Sequence, residues 1–433
     1  MFTVISPTLT ARHSPIACRY GMIPRMSSHS ALRNPLYRRY FTASAFATLG
    51  VWMTRFLYGW LVWDVTESFF WVGVASSALL LPSLIITPIF GVISDRINLR
   101  TGVIVWLAAQ ATITLFSWII FYGVGHSLPF LLAMTLLFGM TAAAGSPLRL
   151  TLIPKLVTQD ELPNAVGWGA MLFNTSRILA PALAAFALQW ASASWVFIFG
   201  TVLFVSAALI NVGLPKNLVP TPRDGPKTSG WQDFVAGLSY CWSMPMIQLL
   251  FLLTLTNSQV ARSLMELLPA LSGTLTAGRA SDLAFITGSA GAGSIIGGWF
   301  ISRQRGSRER LYLILMLAMA GTALLLVPMY RAWPVWTVGL FIAGISGLMT
   351  LLGTGSQILL QLITEDGKRG RVMSLWLTIA LAGPAFGALI MGSLAELGGL
   401  PTMLTLMIVI SLASALWLKW RLPKHAGTLQ HDV

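Results

Sequence analysis

Charged residues are scarce in this chain: only 10% of its residues are Asp, Glu, Lys or Arg. Residues 101–148, 178–215 and 332–364 contain none of them. A lipid-spanning helix needs about 20 mostly apolar residues, because lipid offers no partner for a charge or an open backbone group. Each run is long enough for one or two such helices, and the mean hydropathy is +0.74. This scarcity excludes an ordinary soluble domain and predicts an all-α polytopic membrane protein.

Cysteine and histidine are also rare. The only cysteines are Cys18 and Cys241, and no histidine falls in a predicted membrane span. We therefore expect no disulfide framework, no metal site and no cofactor. The net charge of +14 could indicate a nucleic-acid partner. However, the basic residues gather between the apolar runs, where a cytoplasmic face needs them, so we expect no nucleic acid.

The motifs of membrane enzymes are incomplete or missing. Residues 344–347 have the Gly-x-Ser-Gly pattern of a rhomboid protease around Ser346. That chemistry needs a membrane-buried histidine base, and only His425 and His431 follow Ser346, both in the C-terminal tail. Neither a HExxH zinc motif nor a GxxxxGK[ST] phosphate loop occurs. We therefore expect neither an enzyme nor an ATP-driven pump.

The apolar runs and the turn residues between them predict twelve membrane-spanning helices. In chain order they cover residues 40–62, 71–93, 101–122, 129–151, 164–189, 194–213, 246–271, 282–301, 310–329, 335–361, 371–395 and 401–419. With both termini placed in the cytoplasm, nearly all of the 28 Lys and Arg residues fall on the cytoplasmic side. The exceptions are Arg55, Arg177, Arg262, Arg279 and Arg331. This asymmetry predicts cytoplasmic termini at an inner (plasma) membrane.

Residues 1–35 are basic and contain no acidic residue. Such a leader could be a transit sequence, but we favour a disordered cytoplasmic tail, because no apolar core with a cleavage site follows. Residues 422–433 are predicted to form a second cytoplasmic tail.

The chain repeats itself at offsets between 203 and 207 residues. The matched segments are 91–96 with 298–303, 156–160 with 362–366, and 180–185 with 383–388. We infer two pseudo-symmetric six-helix halves, 36–213 and 246–421, a known plan for secondary transporters. Residues 214–245 would link them, with a short interfacial helix where Trp231, Phe234, Val235 and Leu238 recur at helical spacing.

Residues 91–100, Gly-Val-Ile-Ser-Asp-Arg-Ile-Asn-Leu-Arg, resemble the loop motif of the major facilitator superfamily. Asn98 and Thr101 stand where that family usually has Gly and a further basic residue. With twelve helices in two halves, the resemblance covers about residues 36–421. Residues 147–168 and 173–182 also resemble the bacterial efflux branch that includes enterobactin-type siderophore and macrolide exporters.

The resemblance implies a conformational latch at Gly91, Asp95, Arg96 and Arg100. In the superfamily this Asp faces the start of the eleventh helix, where unpaired amides attract a carboxylate. The alternative is a set of solvated charges that only sets the topology. Ser302 stands at the corresponding place in the second half, so we expect one latch of this kind.

Charges inside the membrane are costly, which makes them functional candidates. The predicted substrate or proton pathway contains Arg55, Asn174, Arg177, Arg262 and Glu266. In the superfamily, helices 1, 4, 7 and 10 line the cavity. Arg55 lies in the first predicted helix and Arg177 in the fifth. The alternative is that these side chains snorkel, with their charged ends at the membrane surface, or form pairs with a purely structural role.

Glu266 is the only acidic residue well inside a predicted helix, so it is the candidate carrier of a coupling proton. Arg262 lies four residues earlier, on the same helical face, and is the expected partner. The alternative is a static Arg262–Glu266 pair that only holds the seventh helix.

Prolines flanked by small residues occur in the fifth and eleventh predicted helices, at Pro181 and at Gly383, Pro384 and Gly387. This pattern resembles the motif of proton-driven antiporters, although alanines replace some of its glycines in the fifth helix. The alternative is ordinary close packing of the fifth helix on Gly293 and Gly297 of the eighth.

Together these features predict a proton-coupled secondary transporter that exports small organic molecules of the drug or siderophore type. Its expected partners are the substrate, protons and membrane lipids, and we expect a monomer. An uptake symporter for a small metabolite remains an alternative, and a receptor or scaffold that transports nothing is a weaker one.

Overall fold

The computed structural model describes residues 30–218, 238–304 and 308–425, and in these ranges the chain is helical and contains no strand. We number the α-helices in chain order. They are α1 (Pro35–Thr66), α2 (Phe69–Leu80), α3 (Ser83–Ser94), α4 (Leu99–Gly123), α5 (Leu128–Leu156), α6 (Leu162–Ala187), α7 (Ala193–Val212), α8 (Pro245–Asn257), α9 (Ser263–Glu266), α10 (Leu268–Leu275), α11 (Ala280–Ser302), α12 (Arg308–Leu326), α13 (Val335–Ile363) and α14 (Asp366–His425).

The helices begin where capping chemistry allows it. Asn34 accepts hydrogen bonds from the first-turn amides of α1, and Pro35 occupies the position that needs no amide donor. Ser68 caps α2 and Asn98 caps α4 in the same way. Pro82 separates α2 from α3, because proline cannot donate the hydrogen bond that would continue the helix.

The seventh predicted helix, 246–271, is broken in the structure. After α8, residues Ser258–Arg262 form a turn of π-helix, followed by the short helices α9 and α10. Pro269 lies in the first turn of α10. Because π-helical turns are frequent at functional sites, the residues around this break are candidates for the functional site.

In the described part of the chain, nine helices are long and apolar enough to cross a membrane. One of them, Lys368–Trp420, has 53 residues and turns at Gly399, whose φ of 76° is left-handed. It is long enough for two crossings of about 20 residues each. Residues Pro35–Thr66, which carry Arg55, and the broken segment 245–275 are not among the nine. Twelve crossings therefore stay a prediction.

The chain termini and the linker are described only in part. Most of the predicted interfacial helix, around Trp231, lies outside the described residues, and residues 238–243 are helical. The predicted tail 1–35 extends too far, because Ala31–Arg33 form a 3-10 turn. Its first amide donates to Asn164 Oδ1 at 2.9 Å, which fixes this turn to the start of α6.

Two pairs of helices make most of the contacts between residues 35–212 and residues 245–425. These pairs are α2 with α14 and α6 with α11. In the sequence repeat, α2 and α3 correspond to α11, and α6 corresponds to the first part of α14. The repeat therefore relates the α2–α14 pair to the α11–α6 pair. A two-fold repeat would produce two such pairs, and the division into two halves stays a prediction.

The interface between α2 and α14 is tight at one end. A Cβ atom added at Gly73 would lie 2.5 Å from the carbonyl oxygen of Ala388, and one at Gly392 would lie 2.6 Å from that of Phe69. At the other end, a Cβ at Gly91 or Gly370 would have no neighbour within 4 Å. The α2 and α14 backbones thus meet closely around Gly73 and Gly392, whereas Gly91 of α3 and Gly370 of α14, near the basic clusters, have open space beside them.

Candidate functional site

We call the helices of residues 35–212 and those of residues 245–425 the two groups of helices. A cavity of about 370 Å³ lies between them. Six of the residues singled out from the sequence line it: Arg55, Arg177, Pro181, Arg262, Glu266 and Pro384. The remaining lining is mostly apolar and aromatic. This volume is in the range of small-molecule sites, which combine apolar walls with a few convergent polar groups.

An ion pair joins the two groups of helices inside the cavity. Arg55 Nη2 of α1 donates to the two carboxylate oxygens of Glu266, at 2.6 and 2.5 Å. The side chains are only 26% and 15% exposed, respectively. The predicted pairing of Glu266 with Arg262 is therefore wrong for this conformation. Spacing along one helix showed that the two residues share a face, but it could not show that α1 brings a closer cation.

Arg262 has a different partner, which a proline makes available. Its Nη1 donates to the carbonyl oxygen of Ala380 at 2.6 Å. Pro384 has no amide hydrogen, so the carbonyl four residues before it lacks its helical partner. Thr87 similarly donates to the carbonyl of Ala143 at 3.2 Å, four residues before the proline at position 147. A proline in a helix therefore indicates, from the sequence alone, that the carbonyl four residues earlier can accept a hydrogen bond such as that of Arg262.

The π-helical turn supplies further contacts to the same part of α14. Gln259 Nε2 donates to the carbonyl of Gly383 at 3.1 Å. Added Cβ atoms at Gly383 and Gly387 would lie 2.6 and 2.8 Å from the Cβ atoms of Ser258 and Ser263. These glycines therefore pack against the π-helical turn and α9. The sequence pattern places them in a proline motif that also occurs in the fifth predicted helix.

The small residues of α11 also face other neighbours than the sequence suggested. Gly293 and Gly297 approach the carbonyls of Ala343 and Gly347 in α13, and it is Gly291 that approaches Ile178 of α6. The predicted packing of Gly293 and Gly297 on the fifth helix is therefore wrong. A GxxxG pattern identifies a face for close packing but not the helix that packs there.

Arg177 lies in the cavity wall, with its guanidinium carbon 5.8 Å from the centre of the Trp52 ring. Arg55 lies at 5.3 Å from the same ring, and Phe173 meets it edge-on at 5.4 Å. Within the described residues Arg177 makes no ion pair and donates no hydrogen bond. Trp52 therefore contacts both arginines, a convergence of α1 and α6 that spacing along one helix does not indicate.

Asn174 does not belong to the cavity lining. Its side-chain amide donates to the carbonyl of Ala170 in its own helix at 2.9 Å. Ser76, which the sequence did not single out, does line the cavity, and its hydroxyl donates to the backbone carbonyl of Glu266 at 3.1 Å. A lone serine in an apolar run carries no sequence signal for such a contact.

The predicted latch is not formed in this conformation. Asp95 and Arg96 are exposed, and Asp95 makes no ion pair with the residues that the structure describes. Arg100 Nη2 donates to the carbonyl of Val212 at 2.7 Å, so it caps the C-terminus of α7. Open space lies beside the nearby Gly91 of α3 and Gly370 of α14.

The comparisons with known proteins agree with this architecture. A family model described as transmembrane secretion effector, of the major facilitator superfamily, matches residues 26–431. The chain belongs to this family. It is therefore a multi-pass membrane transporter, as the superfamily resemblance of residues 91–100 implied.

Two curated relatives are similar over part of their lengths. The enterobactin exporter EntS of Salmonella choleraesuis (strain SC-B67) is 27% identical over 284 residues, which are 64% of this chain and 65% of the relative. The staphyloferrin A transporter of Staphylococcus aureus (strain NCTC 8325 / PS 47) is 22% identical over 188 residues, 43% of this chain and 47% of the relative. The chain thus spans less than two thirds of either relative's length.

Solved structures show the same fold at low sequence identity. The nucleoside transporter NupG has a TM-score of 0.66 at 12% identity, covering 89% of this chain and 98% of that one. A POT family transporter in complex with 5-aminolevulinic acid has a TM-score of 0.68 at 10% identity, covering 92% of this chain and all of that one (100%). A bacterial homologue of Spinster, inward-facing and unoccupied, has a TM-score of 0.58 at 14% identity, covering 89% and 95%.

Proposed function

We propose that this protein is a secondary active transporter of the bacterial inner membrane that exports small organic molecules of the drug or siderophore type. It would work as a monomer with twelve crossings in two six-helix halves and with both termini in the cytoplasm. The observation that carries the proposal is the charged cavity between the two groups of helices. The cavity is lined by both groups of helices.

Export is favoured over uptake by the family description and by the relatives. The family is described as transmembrane secretion, and one relative is named as an enterobactin exporter. Both curated relatives carry siderophore names. A substrate of this class is larger than most metabolites, and the cavity between two rocking halves can widen on the open side to admit it.

We propose that the two groups of helices work by alternating access. An added Cβ at Gly91 or Gly370 would have open space beside it, and the positive-inside rule places the nearby basic clusters in the cytoplasm. On this basis we assign the structure to an inward-open state. In the outward-open state the cytoplasmic ends would meet, and Asp95 would reach the start of α14 and act as the latch.

Protons would drive the cycle through Glu266. In this conformation its carboxylate holds Arg55 across the interface. A proton on the carboxylate removes the charge that makes this pair strong and so weakens a contact between the two groups of helices. Proton binding and rocking would thereby be coupled, with Arg55 as the partner and Arg262 held apart on α14.

The proposal is tested by expression in a bacterial host that lacks its own efflux systems. Sensitivity to a panel of antibiotics, dyes and siderophores is measured, with and without an uncoupler. We expect resistance to at least one class and loss of that resistance with the uncoupler. A matched control is the host that produces Glu266→Gln at the same membrane level. Unchanged sensitivity across the panel by well-expressed protein would contradict export.

A further inference from the structure

The cavity holds more positive than negative charge. Three guanidinium groups, from Arg55, Arg177 and Arg262, face the single carboxylate of Glu266. Arg55 is paired with that carboxylate, and Arg262 donates to the carbonyl of Ala380. Arg177 alone of the three has no hydrogen-bond or ion-pair partner in the described part of the chain. A cation removed from bulk water is costly unless it is paired, so the excess positive charge of the cavity favours an anionic ligand.

Arg177 is held in a way that leaves its donors available. Its guanidinium lies over the ring of Trp52, which Phe173 supports edge-on. A cation–π contact uses the face of the ring and leaves the N–H groups of the guanidinium fork without a partner. The second arginine at this ring, Arg55, already holds a carboxylate. The fork of Arg177 therefore remains available in the cavity wall.

We infer that the cavity binds an organic anion and that Arg177 receives its acid group. A planar fork matches a carboxylate or a similar delocalised oxyanion, with which it forms two parallel hydrogen bonds. The rest of the molecule would lie against the apolar wall formed by Phe56, Met265 and Phe173. This inference rests on the proposed function and deepens it, because it names the chemical class of the exported molecule.

Three probes that differ only in charge test the inference directly. Naphthoate, naphthylmethanol and naphthylmethylammonium share one planar body and carry a negative, a neutral and a positive group. Their binding to the purified protein in lipid nanodiscs is measured by calorimetry. We expect naphthoate to bind about tenfold or more tightly than the alcohol, and the ammonium to bind most weakly. Arg177→Gln should lower naphthoate affinity to that of the alcohol and leave the alcohol unchanged.

Arg149 offers a matched control, because its guanidinium also lies over a tryptophan, Trp106, at 5.6 Å but outside the cavity lining. Arg149→Gln should leave the order of the three affinities intact. Arg177→Lys keeps the charge without the fork, so it should retain part of the preference even if the Gln variant folds poorly. Equal affinities for the three probes, or an equal loss in both Gln variants, would overturn the inference.

Failure of this inference can be told apart from failure of the proposed function. Binding in nanodiscs does not need transport, so a clear preference for naphthoate without export in the host screen rejects export alone. Export in the host without any preference for the anion rejects the anion site alone.

Discussion

The interface of α2 and α3 with α14 differs between its two ends, which we call the closed end, at Gly73 of α2 and Gly392 of α14, and the open end, at Gly91 of α3 and Gly370 of α14. At one end the backbones touch through Gly73 and Gly392, and at the other no atom approaches within 4 Å of an added Cβ at Gly91 or Gly370. Between the two ends lies the cavity, and the Arg55–Glu266 pair joins the two groups of helices there. The difference teaches that an added side chain meets backbone at one end and open space at the other, so a substitution should matter according to the end it touches.

The largest effect is expected at the closed end. Gly73→Val places atoms against the carbonyl of Ala388, which is backbone and cannot turn aside. Such overpacking costs about 1–3 kcal/mol, a factor of about 5–150 in the balance between conformations. We expect loss of transport and greater access to the cavity from outside, measured by labelling a cysteine at position 177 in a protein without Cys18 and Cys241.

Gly91→Val is the matched control, because the same change at the open end meets no neighbour within 4 Å. It should alter external labelling little. If both variants label alike, the closed end does not control access and the comparison between the two ends fails.

The second effect concerns the ion pair between the ends. Glu266→Gln removes the carboxylate and leaves Arg55 partly buried without its partner. Breaking a buried pair costs about 3–5 kcal/mol, and the partial exposure of both groups reduces this. We expect the variant to lose transport against a gradient in proteoliposomes, while substrate still equilibrates down its own gradient.

Arg55→Gln separates the two roles of the pair. If the pair is only structural, both single variants should lose stability and both should still concentrate substrate. If Glu266 carries the proton, only its replacement removes the response to an imposed pH gradient. A Glu266→Gln protein that still concentrates substrate would place the proton elsewhere, with Asp64 near the outer end of α1 as the next candidate.

The residues of this site were easier to predict than their contacts. Arg55, Arg177, Arg262 and Glu266 stood out because a charge in an apolar run is costly and needs a reason. Their partners depend on how α1, α6 and α14 approach the broken seventh segment, which spacing along one helix does not contain. The exception is Ala380, because a proline four residues later leaves its carbonyl without a donor, and that signal is local.

The positions of the helices could be predicted from the sequence, but the local break in one of them could not. Scarce charge marked the apolar runs, and the capping residues Asn34, Ser68 and Asn98 mark where helices begin. The π-helical turn had no sequence signal, since Ser258–Arg262 has an ordinary helical composition. The latch stays a prediction, because Asp95 forms no ion pair with the described residues in this conformation.

The smallest effect is expected at the open end, from Asp95→Asn. The substitution leaves the packing nearly unchanged, and in this conformation the carboxylate has no ion-pair partner to lose among the described residues. It would lose only the attraction to a helix N-terminus in the outward-open state, worth about 0.3–1 kcal/mol. That is a factor of about 2–5 in the balance between states, so transport should slow by a similar factor while the Tm and membrane level stay unchanged. Initial transport rates and thermal unfolding of the purified protein, measured together, check this.

Ser302→Ala, at the corresponding place in the second half, is the control and should transport normally. Normal rates in the Asn variant would exclude the latch, and a lowered Tm would show that Asp95 stabilises the inward-open state instead.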